Sequence, residues 1–324
     1  MILAYLKRQK LESLEITFEN QALLKEALWI DVLSPSKSEE ALLEKCLRLN
    51  IPTREEMREI ELSSRLYKNK DILFMTATMV AQSESPDPKL DSVTFVLTPQ
   101  QLITIRYIEP LAFQLFNSQL QKLDATHLTA ATLLIELLDV TVDRLADILE
   151  LVGRRLDEYS KILFKLQINN IPAKLNYQKL MQQIGINGDL NTKAYESLVM
   201  FNRLITFFGQ NAGASVDQKE HLRLTIFSKD IVALSEHGNF LSNKVNFLLD
   251  ATLGMVSIEQ NNIIKIVSVA AAIFLPPTLI ASIYGMNFHF MPELSWKWGY
   301  LIALGLIALS AWLPYQLFKF KKWI

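Results

Sequence analysis

A single cysteine, Cys46, stands in a chain of 324 residues, so neither an intrachain disulfide nor a cysteine-rich metal cage can form. Its leucine-rich neighbourhood reads as ordinary burial in a reducing compartment. An excess of one charge is also missing. Lys and Arg number 33 against 34 Asp and Glu, a net charge of −1 that argues against general affinity for nucleic acid. The sequence has no phosphate-binding loop or dinucleotide fingerprint, and no nucleophile, base and orienting group assemble, so no enzyme is read here. Met1–Lys10 lacks a long apolar core and a small-residue cleavage site, so it does not read as a signal peptide. Carboxylates are absent from two long apolar stretches, residues 263–283 and 298–318.

Each of those stretches matches the roughly 20 apolar residues with which a helix crosses a hydrocarbon core of ~30 Å. Lys265 is the one charge inside them. Lys319, Lys321 and Lys322 follow the second, whereas the connecting segment 284–297 carries only Glu293 and Lys297, which cancel. Basic flanks mark the cytoplasmic side, so both termini are predicted inside and the loop outside. Trp296, Trp298 and Tyr300 suit the outer interface, and Phe318, Phe320 and Trp323 the inner one.

Residues 1–123 read as an α+β cytoplasmic domain. Strands are predicted at 2–6, 14–18, 29–32, 72–80, 92–97 and 102–107 from period-two alternation or β-branched enrichment. Helices are predicted over 36–47 and 53–62, each opened by a capping-box spacing, Ser36 with Glu39 and Thr53 with Glu56. The proline-containing, acidic stretch 83–91 is a loop. From 124 to 214 the strand signal vanishes, and helices are predicted at 126–167, at 173–183 up to an interruption by Gly185 and Gly188, and at 192–208. A further capping spacing, Ser215 with Gln218, opens a stalk helix over 215–262 that continues into the first span. A basic cytoplasmic tail, 319–324, follows the second span.

The stalk has a clear period. Phe227, Ile231, Leu241, Val245 and Met255 belong to a series stepping by four and three, which keeps one face toward a partner. Unbroken from 215 to 275, the helix would span roughly 90 Å. Bundling copies of it around an axis is the simple way to bury that face; the alternative is packing against helices 126–208 of the same chain. After a slip of register past Met255, a similar face carries Asn261, Ile264, Val267 or Ser268, Ala271, Leu275 and Thr278. Around an axis this face would form a pore with polar rings at its ends and a hydrophobic constriction between, a geometry that can gate by dewetting. Neutral oxygens suit a still-hydrated Mg²⁺, which sheds water reluctantly. Pro276 and Pro277 remove two backbone donors and free the carbonyls of Ala272 and Ile273, as a lined cavity or a plain kink would require.

Phe274-Leu275-Pro276-Pro277-Thr278, then Tyr284-Gly285-Met286-Asn287 and Met291-Pro292-Glu293-Leu294, resemble the signature of the CorA family of divalent-cation transporters. The likeness covers roughly 215–324. It implies a funnel-shaped homopentamer in the cell inner (plasma) membrane, with a central pore lined by the first span and importing Mg²⁺, with Co²⁺ and Ni²⁺ as further substrates. Carried over by position, Gly285, Met286 and Asn287 would select a hydrated cation at the outer mouth. Asn261 and Thr278 would be polar rings, and Ile264, Val267 and Leu275 would line the narrow stretch. Glu293 would attract cations in the outer loop, and Lys319, Lys321 and Lys322 would form a basic collar. The resemblance also implies closure by cytoplasmic Mg²⁺ bridging carboxylates between subunits, for which Asp230 and Asp250 on the stalk, or Asp87 or Asp91, are the candidates; otherwise these are solvated surface charges.

Glu136, Asp139, Asp143, Asp147 and Glu150 share one helix face, which would either concentrate cations or simply be solvated. The four histidines show no ligand spacing, although His289 lies beside the selectivity loop. Two competing functions stand beside magnesium import: a zinc transporter of the same architecture, which Met286 disfavours, and a membrane-anchored scaffold or sensor.

Overall fold

The computed structural model describes residues 1–8, 11–120, 128–168, 176–213, 216–287, 289, 291–321 and 323, the side chains of 165–168, 293 and 294 excepted. Seven strands form one mixed sheet in the order β2-β1-β3-β7-β6-β5-β4. They are β1 (Ile2–Lys7), β2 (Leu11–Glu15), β3 (Ala27–Leu33), β4 (Leu66–Asn69), β5 (Ile72–Ala81), β6 (Lys89–Leu97) and β7 (Leu102–Arg106). The β3–β7 pair is parallel and every other pair antiparallel. Alternation sorts the side chains. Ile30, Val32, Ile103 and Ile105 enter a core shared with Leu43 of helix α1 (Lys37–Leu47). Trp29, Asp31 and Thr104 point to the other face. There Trp29 stacks on Tyr5 at 4.2 Å and meets Phe116 of α3 (Leu111–Leu120) edge-on at 5.4 Å.

That second face also holds a buried charge pair. Arg106 donates to both carboxylate oxygens of Asp31, at 3.0 and 2.8 Å. The Thr104 hydroxyl donates to the same carboxylate at 2.8 Å and accepts from the Trp29 indole at 3.1 Å. Fully bonded in this way, the pair avoids the cost of an isolated buried ion.

Ser36 and Glu39 close the predicted capping box on α1. Thr53 and Glu56 also exchange their capping bonds, but no helix runs from 53 to 62. A 3₁₀ turn (Glu56–Arg58) and a four-residue helix α2 (Leu62–Arg65) stand there instead. Only Met57 of this segment is buried and Ile60 is 91% exposed, so no apolar face exists to hold a longer helix. The second strand lies earlier than predicted, and the short edge strand β4 is additional.

Helices α4 (Ala130–Ile168) and α5 (Tyr177–Asn211) follow. The predicted division near 123 and the Thr126 start lie outside the described residues. The break expected at Gly185 and Gly188 is absent, because α5 runs through both and Gly188 seats against Val245. Ser197 donates to the Thr78 carbonyl at 2.6 Å, and Phe201 meets Phe95 at 6.3 Å, which fixes α5 on the sheet. Helix α6 runs unbroken from Gln218 to Tyr284. Ser215 lies outside the described residues; the capping box seen is Asp217 with Glu220, at 2.7 and 2.9 Å.

The apolar series on α6 does not wait for other copies of the helix. Ile231, Leu241 and Leu248 are buried within the chain. Asn191 donates to the Gly238 carbonyl at 2.9 Å and to Ser242 at 2.8 Å, and Lys244 pairs with Asp157 of α4 at 2.6 Å. The face therefore packs on α4 and α5, the alternative of the two readings. Sheet and helices form one compact unit, Met1–Leu249; Asp250–Ile324 forms a second, holding the rest of α6, a 3₁₀ turn (Pro292–Ser295) and α7 (Gly299–Phe320).

Candidate pore face and outer mouth

Within the second unit, the part of α6 before Tyr284 and the whole of α7 are long and apolar enough to cross a membrane. Asn261, Ile264, Val267, Leu275 and Thr278 are all exposed, with Leu275 at 67%. The opposite side carries the covered positions: Val269 is buried, and Lys265, Ala272, Ile273, Pro276, Pro277 and Ile280 are half-buried. One flank of the helix is thus covered, and the rest is open, with Ile263, Ile266, Phe274 and Leu279 exposed beside the candidate pore residues.

Steps of four and three lead from Asp250 to Asn261, then Ile264, Leu275, Thr278 and Gly285, each of them exposed. Val267 stands one position off this stripe, with Ser268 on it. In the first unit a similar exposed series runs through Leu222, Ile226, Phe240 and Phe247. It is distinct from the buried series through Ile231 and Leu241.

Thr278 donates its hydroxyl proton to the Phe274 carbonyl at 2.7 Å, leaving the oxygen lone pairs as acceptors on an exposed position. At the helix end Gly285 donates to the Ala281 carbonyl at 3.0 Å and Met286 to the Ile283 carbonyl at 3.2 Å. A Cβ on Gly285 would lie 3.2 Å from the Ala281 oxygen, so a side chain here requires the turn to give by a few tenths of an ångström. Gly285, Met286 and Asn287 follow as exposed residues beyond the last full turn. Glu293 belongs to the 3₁₀ turn, but its side chain lies outside the described residues, as does Lys322. Lys319 and Lys321 are exposed at the end of α7.

Asp230 and Asp250 are exposed on α6. Among the described residues of one chain, no group of three His, Cys, Asp or Glu is placed to hold a metal ion. Two other acidic features are engaged within the chain. Arg54 and Arg58 grip Asp91 at 3.3 and 2.8 Å. Burial raises its pKa, but the bonds from Arg58, the Ser92 N–H and Arg54 outweigh it and hold the carboxyl below its ordinary range. Arg223 of α6 takes Glu136 at 2.5 Å and Asp139 at 3.3 Å, so part of the α4 acidic face anchors α6. Burial, then Asp143, pushes the Asp139 carboxyl up despite that contact.

A mixed sheet, a long helix running into an apolar segment and a second apolar helix give the chain the architecture of a two-span membrane protein. Residues 25–322 match the family described as CorA-like Mg2+ transporter protein, and the chain belongs to the CorA family. It is 34% identical over 301 residues to the magnesium transport protein CorA of Pasteurella multocida, covering 93% of each. In fold it is similar to the CorA magnesium transporter of Methanocaldococcus jannaschii, with a TM-score of 0.73, 18% identity, and coverage of 100% of this chain and 99% of that one. The ZntB cytoplasmic domain of Vibrio parahaemolyticus is a more distant likeness, at TM-score 0.56 and 13% identity, over 79% of this chain and 98% of that one.

Proposed function

We propose that the protein is a passive, channel-like importer of divalent cations, chiefly Mg²⁺ with Co²⁺ and Ni²⁺ as further substrates, working as a homopentamer in the cell inner membrane with both termini cytoplasmic. One observation carries this reading: the exposed stripe of α6, which presents an amide, apolar residues, a hydroxyl and the Gly-Met-Asn turn in unbroken register. Copies arranged around an axis would convert each stripe residue into a ring. Asn287 with Gly285 and Met286 would hold a hydrated cation at the outer mouth, and Glu293 would raise its local concentration. Ile264, Val267 and Leu275 would form the constriction between the Thr278 and Asn261 rings. Lys319, Lys321 and Lys322 would surround the inner mouth.

The membrane potential is sufficient drive. It supplies about 2.3 kcal/mol per unit charge per 100 mV, and twice that for a divalent ion. Asp250 lies on the stripe, so its copies would face one another and could bridge through Mg²⁺ when the cation accumulates inside. Asp230 lies off the stripe, and a bridge through it would need a carboxylate from a neighbouring subunit's flank.

A zinc transporter of the same architecture is the second reading. Met286 and the Met291-Pro292-Glu293-Leu294 loop favour magnesium. Mg²⁺ entry into liposomes carrying the purified protein, wild type against Asn287→Ala at matched oligomeric state, tests the proposal. Entry that collapses in the variant supports the outer amide ring. Unchanged entry removes Asn287 from the mechanism, and absent Mg²⁺ entry with Zn²⁺ entry moves the assignment to zinc. A scaffold would show no entry of either ion.

A further inference from the structure

We propose that Lys265 and Trp323 are a positioning pair for transport, a cation–π clamp that sets where the inner end of the pore-lining helix rests. Lys265 is the lone charge in 263–283, and it is half-buried where Ile263, Ile264, Ile266 and Val267 around it are exposed. Its Nζ stands 5.6 Å from the centroid of the Trp323 ring. That is inside the ~6 Å range over which an aromatic face holds an ammonium. The ring is itself fixed. It stacks on Phe318 at 5.5 Å, and the backbone N–H of Trp323 donates to the Phe318 carbonyl at 2.9 Å. Phe318 belongs to the last turn of α7, so the contact ties the end of α7 to α6.

An ammonium this close to the hydrocarbon needs compensation, and neither apolar stretch has a carboxylate to supply it. An indole face does so without a second charge, and its broad surface suits the membrane interface. Position gives the clamp its consequence. Lys265 lies one helical turn after Asn261, off the exposed stripe and on the flank that includes Val269. Its charge does not line the path; it acts through the placement of Asn261. The inference rests on the pore reading above.

The test uses the full chain in liposomes, with Mg²⁺ entry followed across a range of external Mg²⁺. Lys265→Met and Trp323→Ala are each expected to change the maximal rate per oligomer by about fivefold, in the same direction. The half-saturating Mg²⁺ concentration stays at the wild-type value, because the outer turn is untouched. The double variant changes no further than either single one, and Lys265→Arg, which keeps a cation over the indole face, stays within about twofold of wild type. Additive single effects, or wild-type rates in correctly assembled variants, would overturn the clamp. If Trp323→Ala does not assemble, Lys265→Met against Lys265→Arg decides: equal rates overturn the proposal, and a change confined to Lys265→Met supports it. Wild-type liposomes that admit no Mg²⁺ would overturn the transport reading and the clamp with it, whereas normal wild-type entry beside unaltered variants overturns the clamp alone.

Discussion

Gly188 of α5 and Val245 of α6 meet so closely that a Cβ on the glycine would stand 3.0 Å from Val245 Cγ1. Valine is stiff at χ1 in a helix, so its methyl cannot swing aside. Gly188→Ala gains about 1 kcal/mol of helix propensity, against overpacking of about 1–3 kcal/mol. With a rigid neighbour the overpacking wins, and the variant is expected to unfold at lower denaturant than wild type. Adding Val245→Ala restores part of the loss, so the double variant is more stable than the two single costs summed. Additive costs in denaturant unfolding would show that the two helices can move apart at no penalty.

Asp31 and Arg106 are the most deeply buried ion pair among the described residues, with side chains 0% and 8% exposed. Asp31→Ala leaves a guanidinium with two donors unpaired in the sheet's aromatic face and is expected to cost about 3–5 kcal/mol. Replacing both, as Asp31→Val with Arg106→Met, removes the stranded charge and costs markedly less. Equilibrium unfolding of the three chains checks the order; a double variant as weak as Asp31→Ala would place the cost in packing and not in charge.

Alkaline pH probes Tyr107, the residue directly after Arg106 and β7. Burial first, and then the Glu40 carboxylate, push the Tyr107 phenol up to about 12. Its hydroxyl donates to Glu40 at 3.1 Å, and the Arg54 guanidinium lies 4.7 Å from the ring centroid. Unfolded, the phenol ionises near 10. The stability from this difference is fully present below about pH 10 and is lost as pH rises through about 12. Tyr107→Phe is therefore expected to flatten part of the decline in stability between those values. Tyr5, also pushed up to about 12 by burial and Asp31, keeps the remainder. An unchanged slope in denaturation measured from pH 9 to 12 would remove Tyr107 from that decline.

Local chemistry was the legible part of this fold. The Ser36–Glu39 box, the β-branched central strands and the two apolar stretches follow from neighbouring residues, so their spacing sufficed. Strand β4 escaped because its four edge residues, two half-buried and two exposed, carry little alternation. Gly185 and Gly188 looked like breaks because a glycine's propensity cost is local, whereas the close approach to Val245 that makes Gly188 useful is not. Helix α6 carries two series with the same four-and-three step, one through Ile231 and one through Phe240. Periodicity reveals that a face is apolar but not what covers it, so copies of the helix and the chain's own helices both remain open for the buried series on spacing alone. The Gly-Met-Asn turn was legible because it stands where an apolar helix ends. The Lys265–Trp323 contact joins two distant stretches and left no local signal.

Gly285 links that turn to a measurable consequence. A Cβ there would stand 3.2 Å from the Ala281 carbonyl oxygen and 3.5 Å from that of Ser282, the carbonyls near which α6 ends. The first contact is tight and the second ordinary, so Gly285→Ala must open the first by a few tenths of an ångström, and the displacement falls on Met286 and Asn287, the next two residues. The site is exposed at a helix end, so unfolding should shift by no more than about 0.5 kcal/mol. Transport should respond more, because a misplacement of about 1 Å in a positioned polar group can lower a rate on the order of a hundredfold and a shift of a few tenths of an ångström takes a share of that. The expected outcome is a Gly285→Ala protein that assembles and unfolds like wild type but admits Mg²⁺ at least about tenfold more slowly, with Asn287→Ala as the reference for complete loss of the amide. Entry at the wild-type rate would mean that the turn tolerates a shifted amide and that Asn287 does not need its placement by Gly285.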